Sequence, residues 1–433
     1  MKTTKPLFAG TIVAASTLLT RALDDAAATP SLSRRLRIVA APILLVCAAC
    51  GAGEPTAAGA PAAPTSDSAF VAALRARLEA ATTAGEFSGA VLVTRDGRTL
   101  FEGAYGLADR ERGVPNTPLT QFRVGSMDKM VTAVAVLQLV QAGKVRLDAP
   151  LGTYLPDYAN AEVASKVTPH HLLTHTGGTG DIFGPEFDAH RSELRTTEDY
   201  LRLYGTRGLR FEPGSRWEYS NYGFVLLGAV VERVGGTSYY DHVAAHVHAP
   251  AGMTATGSAP EDSLVPNRSV GYTRHLVPGE LVSNAPTLPY RGTAAGGGYS
   301  TVGDLARFAV ALREHRLLDP AHTALLLGGK VTIGQGSRYA YGFFDRAPAG
   351  RRLVGHGGGA PGMNGALTFE PNGGYVVVVL ANLDPQAATR IEAFILERLP
   401  TSTTAGLGGA SAARSVPLPA WTRRSSRAAT APR

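Results

Sequence analysis

The stretch Phe122 to Lys144, FRVGSMDKMVTAVAVLQLVQAGK, sets a serine and a lysine three residues apart at the head of an apolar run. Met130, Val131, Ala133, Val134, Ala135, Val136, Leu137, Leu139 and Val140 leave almost no polar face, and the run stops at Gly143. A helix apolar on all sides belongs in the interior of a sizeable core, and a glycine just past its end is a common stop. The stretch therefore predicts a central buried helix, with Ser126 and Lys129 one turn apart at its N-terminus. That end carries free backbone N–H groups and a positive dipole, which favour an oxyanion beside Ser126. A lysine that burial has stripped of its proton can act as base for a serine, itself a weak nucleophile. The plainer reading also stands at this point: Ser caps helices, Lys sits in first turns, and S-x-x-K arises by chance.

On either side of this helix the pattern changes. Residues 69–83 read as an amphipathic helix, and GAVLVTRDGRTLFEGAYG (89–106) as two strands about an Asp96-Gly97 hairpin turn. Loops and helices fill roughly Pro150 to Arg291. Strands return in RLVGHGG, GALTFEPNGG and YVVVVLANL, and Pro385–Leu399 reads as a closing helix. The expected class is α+β: an antiparallel sheet built from both ends of one domain (69–399), flanked by helices, with an inserted, mostly helical subdomain.

Composition narrows the function. The chain has 433 residues and 44% hydrophobic content, enough for a substantial core. Its net charge of +7 sits at the ends: +4 within residues 1–49 and +5 within 400–433, leaving −2 between them. A nucleic-acid-binding domain thus loses its compositional support. Both cysteines, Cys47 and Cys50, precede the domain, which excludes a cysteine nucleophile and Cys-rich zinc sites from it.

Residues 1–50 read as an export leader. Ser33-Arg34-Arg35-Leu36-Arg37 is a positive segment, and the apolar run Ile38–Ala49 after it is too short to span a bilayer. Ala48-Ala49-Cys50-Gly51 is similar to a bacterial lipoprotein cleavage site, which would make Cys50 a lipidated membrane tether; an ordinary signal-peptidase cut is the alternative. Residues 51–68 form an Ala/Pro/Gly linker, and 400–433 a basic tail with little to bury, expected to be disordered.

Two further motifs carry chemistry. Tyr219-Ser220-Asn221 precedes an amphipathic run, so a phenol and an amide can project together from a loop. Tyr158-Ala159-Asn160 has the same Y-x-N spacing, so the triplet alone decides nothing. In GHGGGAPGMNG (355–365), His356 leads a run of glycines whose bare backbone lets a substrate approach a strand edge.

With HHLLTHTGG (170–178), FEPGSRWEYSNYGFVLLG (211–228) and AAGGGYSTVGDLARF (294–308), these elements lie in the order that resembles the serine β-lactamase and penicillin-binding superfamily. The similarity is to its class C β-lactamase-like branch, which holds D-alanyl-D-alanine carboxypeptidases, D-aminopeptidases and esterases, and it covers roughly Phe70 to Leu399. The resemblance implies Ser126 as the acylated nucleophile, Lys129 as its proton partner and Tyr219 as base or relay near the leaving group. It implies Asn221 and the strand His356-Gly357-Gly358 as substrate-binding groups, and the backbone N–H groups of Ser126 and Gly359 as the oxyanion hole. His175 would belong to a structural turn. The departure is H-G-G where many relatives have K-T-G: a histidine is cationic only below its pKa, so any carboxylate binding through His356 would depend on pH.

Other chemistries fit less well. The pairs His171/His175 and His242/His246, with His248 beside the second, lack the glutamate of H-E-x-x-H, so no metal is expected. No serine lies in G-x-S-x-G, and the glycines at 296–298 do not open a phosphate-binding helix. The expectation is an exported serine hydrolase that needs no cofactor and acts on a small-molecule or peptide substrate: D-peptide, β-lactam, ester or D-amino-acid amide. The rival from another class is a peptidoglycan or β-lactam binding or sensor module that keeps the cleft without turnover.

Overall fold

The computed structural model describes residues 66–334 and 336–400. The expected leader with Cys50, the linker up to residue 65 and the tail from residue 401 lie outside them. Helix α1, Asp67–Thr83, starts two residues earlier than its pattern suggests, because the Ser66 side chain accepts a hydrogen bond from Ala69 N and caps it.

The hairpin forms as β1 (Gly89–Arg95) and β2 (Arg98–Tyr105). Asp96 and Gly97 both have positive φ, 50° and 79°, as a two-residue turn matching the strand twist requires. The strands β3 (Val331–Gly334), β4 (Ser337–Tyr339), β5 (Phe344–Arg346), β6 (Leu353–Ala360), β7 (Met363–Phe369) and β8 (Tyr375–Ala381) complete one antiparallel sheet in the order β2-β1-β8-β7-β6-β5-β4-β3. Strands from the two ends of the domain therefore pair at β1–β8, as the pattern of runs predicted. The strands β3 to β5 were not anticipated: they are three or four residues long and half-exposed, too short for an alternating pattern to stand out.

β8 is apolar at every position because both of its faces are covered. Val377, Val379 and Ala381 pack with Phe70, Leu74 and Leu78 of α1 and with Ile391 and Ile395 of the closing helix α5 (Ala387–Arg398). Val376, Val378 and Leu380 point the other way, into a larger core. That second core is built on α2 (Asp128–Gln141), α3 (Asn221–Gly235) and α4 (Val302–Arg313). No strand of the main sheet comes from residues 106–330, which hold mostly short helices.

The helix read from Phe122–Lys144 is α2, continued backwards by a tight turn over Gly125–Met127. It is buried on all sides, and Lys129 is 0% exposed.

Candidate active site

Four segments converge at the head of α2. Gly125, with φ of 52°, turns the chain into the helix, and a side chain there would meet Gly359 N at 3.0 Å. The loop 295–298 lies beneath it: Gly298 N donates to Asp128 Oδ2 (2.7 Å), and Gly297 N to Gly125 O (3.2 Å). A Cβ on Gly296 would fall 2.7 Å from Gly125 O, so the glycine lets this loop pack closely against the turn that leads into α2. The third segment is the N-cap of α3, where Ser220 Oγ accepts from Gly223 N and leaves Tyr219 just outside the helix and Asn221 as its first residue. The fourth is β6.

Lys129 Nζ is the centre of the group. It donates to Asn221 Oδ1 at 2.7 Å and to Ala295 O at 2.5 Å, and lies 3.2 Å from Ser126 Oγ. It also sits 4.8 Å from the centre of the Tyr219 ring. Burial lowers its pKa to about 7, while the carboxylates of Asp181 and Asp128 hold it up against a larger fall. Ser126, by contrast, is partly exposed. Tyr219 is partly exposed too, yet desolvation of its ring holds the phenol well above its ordinary pKa, with the Ser126 hydroxyl opposing the rise. Tyr219 is therefore a protonated phenol at neutral pH.

Asn221 is oriented by a residue that sequence reasoning missed. Its Nδ2 donates to both Asp181 oxygens, at 3.1 and 3.0 Å, so Oδ1 must face Lys129. Asp181 lies in the loop after His175, lines a cavity of about 510 Å³ with Phe183, Arg207 and Arg210, and has no Lys or Arg within ion-pair distance among the described residues. Only its place three residues after the THTGG turn marks it in the sequence. The other Y-x-N triplet is elsewhere: Tyr158 OH contacts Tyr222 OH (3.0 Å), and Asn160 caps a helix at Ala161–Lys166.

The glycines of β6 bring the strand against Ser126. A Cβ on Gly358 would lie 1.9 Å from Val124 O and 3.1 Å from Ser126 N. Gly358 is buried, Gly357 partly exposed and Gly359 exposed. β5 pairs with Leu353, Val354 and Gly355 of β6, so among the described residues this side of β6 has no ladder partner from His356 onward. His356 itself is not where a carboxylate-binding cation would be. It is 3% exposed, its Nε2 meets Tyr339 OH at 3.1 Å, and its Nδ1 meets Gly357 O at 2.5 Å. Burial and the facing cation of Lys129 lower its pKa to about 3, so the expected pH-dependent charge does not arise near neutrality.

A partly exposed hydroxyl held against a buried amine, under the free edge of an antiparallel sheet flanked by helices, is the arrangement of a β-lactamase-type serine hydrolase. The family model described as Beta-lactamase matches residues 73–400, and the chain belongs to that family. A putative penicillin-binding protein, PbpX, of Bacillus subtilis (strain 168) is 30% identical over 304 residues, 70% of this chain and 72% of that protein. Esterase EstB of Burkholderia gladioli is 39% identical over 224 residues, 47% of this chain and 57% of the esterase. The crystal structure of a penicillin binding protein from Bacillus halodurans matches with a TM-score of 0.68 and 34% identity, over 74% of this chain and 98% of that one. The chain is a serine hydrolase of this family.

Proposed function

We propose that the enzyme cleaves esters or amides through an acyl-Ser126 intermediate, with Lys129 in its neutral form as the base. One observation carries this reading: of the three neighbours of Lys129 Nζ, Asn221 Oδ1 and Ala295 O can only accept, while Ser126 Oγ can donate. A neutral amine matches that set completely, with two N–H donors for the two acceptors and one lone pair for the serine proton. As Ser126 Oγ forms its bond to the substrate carbonyl carbon, its proton passes to Lys129 Nζ. The N–H groups of Ser126 and Gly359 receive the oxyanion, Ser126 N–H being in a first turn without an intrahelical partner. Tyr219, a protonated phenol near Ser126, delivers a proton to the leaving alkoxide or amine and regains it from Lys129. Water then cleaves the acyl-enzyme by the same groups in reverse.

In this reading the substrate is held through its carbonyl and the bare edge of β6, without a fixed cation on that strand. This favours esters and D-amino-acid amides over the carboxylate-bearing D-peptides and penicillins. The leader supports action outside the cytoplasm; among the described residues no helix is long and apolar enough to cross a membrane.

The test is intact-mass measurement after incubation with a serine-reactive probe. The wild type gains one adduct and Ser126→Ala gains none; equal labelling of the two would remove the reading. A panel of short-chain nitrophenyl esters, D-amino-acid amides, a D-Ala-D-Ala peptide, penicillin and a cephalosporin then ranks substrates by kcat/KM.

A further inference from the structure

Behind Tyr219, three polar side chains form a buried line that the proposed chemistry does not use. Ser220 N donates to His175 Nδ1 at 3.1 Å, His175 Nε2 lies 3.0 Å from Tyr339 OH, and Tyr339 OH lies 3.1 Å from His356 Nε2. His356 Nδ1 ends the line at Gly357 O. His175, Tyr339 and His356 are 1%, 0% and 3% exposed, so no solvent competes for these bonds. Strand β4 contributes Tyr339 from two strands away, across the gap where β5 no longer pairs with β6.

The backbone fixes the direction of every proton in this line. Ser220 N–H is only a donor, so His175 Nδ1 accepts and its hydrogen is on Nε2. His175 Nε2–H then donates to the Tyr339 oxygen, Tyr339 O–H donates to His356 Nε2, and His356 Nδ1–H donates to Gly357 O, which is only an acceptor. Each donor and acceptor is used once. Adding a proton at His356 Nε2 would turn two hydrogens toward each other and strand the phenol hydrogen in a site with no other partner.

We propose that His175, Tyr339 and His356 are neutral positioning residues that replace the missing ladder bonds of β6 and tie it to the loop carrying Tyr219 and Asn221. His356 thus serves by holding Gly358 and Gly359 in place beside Ser126, and not as a cation for a substrate carboxylate. The surroundings agree. The rings of Tyr219, Trp217 and Phe224 pack against His175, and those of Phe344 and Tyr219 lie near His356. The titratable and charged groups acting on the two imidazoles are Lys129 on both, His356 on His175 and Arg346 on His356, and all oppose protonation.

The first test is independent of turnover: nitrogen-15 NMR of the imidazole rings in the wild-type protein. The expected result is an Nε2–H tautomer for His175 and an Nδ1–H tautomer for His356, both unchanged from pH 5 to pH 8. A His356 ring that becomes doubly protonated in that range, or carries its hydrogen on Nε2, overturns the proposal. The second test, which rests on the hydrolase reading, is Tyr339→Phe, where the ring stays and the hydroxyl goes. Because β6 supplies an oxyanion donor, kcat for a neutral nitrophenyl ester should fall about 10- to 100-fold with KM within twofold, as for a small misplacement of reacting groups. A folded variant with wild-type kcat also overturns it. Absence of a Ser126 adduct in the wild type would sink the hydrolase reading while leaving the NMR result to judge the line by itself.

Discussion

Lys129 and His356 are two buried bases that both lie near the Tyr219 ring, and their proton affinities diverge: Lys129 falls to about 7, His356 to about 3. Desolvation is the main cause in both, so burial does not explain why one base is usable near neutrality and the other is inert. The difference lies in what faces each. Lys129 has the carboxylates of Asp181 and Asp128 pulling its affinity back up; His356 faces Lys129 and Arg346, which push it further down. The same cleft thus keeps one group ready to take a proton and another fixed as a hydrogen-bonding strut.

The largest effect should come from removing the usable base. Lys129→Ala should slow acylation by about 10²- to 10⁴-fold, the range for a positioned acid or base, with the fold retained; burst kinetics with a nitrophenyl ester measure this. Near-normal acylation would show that the serine finds its base elsewhere. Next, the pH profile of kcat/KM should carry an acid limb near pH 7. Below it Lys129 is protonated and lacks the lone pair, so the rate falls about tenfold per pH unit; above it the neutral amine persists. Asp181→Asn removes a negative charge that favours the ammonium, so the limb should move to lower pH. The plateau should drop as well, because Asn221 Nδ2 keeps only one of its two acceptors. A limb that stays in place would mean that Asp181 acts only through Asn221. The smallest effect is expected at Arg346, whose cation acts on His356 alone of the two bases. Arg346→Gln should raise the affinity of His356 for protons, yet leave kcat between pH 6 and 8 within about twofold, since desolvation remains the dominant cause. A new titration in that range would show that the contrast depends on Arg346.

Much of this was legible in the chain. The apolar run after Lys129 reads as a buried helix, the Asp96-Gly97 turn fixes the hairpin, and the YVVVVLA of β8 reads as a strand. The positions of Ser126, Lys129, Tyr219 and Asn221 followed from motif order. The motif position of His356 implies a substrate-binding group whose charge depends on pH, and nothing in the local sequence shows that Tyr339 occupies its Nε2. Asp181 and β3 to β5 escaped for a related reason: a lone aspartate and short half-exposed strands carry no periodic signal.

Residue type and spacing by themselves set the elements and put Ser126 and Lys129 on one helical turn, because local geometry alone governs groups three positions apart. Spacing alone left the two Y-x-N triplets equal and only motif order favoured Tyr219-Ser220-Asn221; the tertiary structure gives the physical difference, sending Asn160 to cap a helix and Asn221 to Lys129. It also decided the charge of Lys129 and His356, since proton affinity follows from desolvation and from the field of groups that only folding brings together.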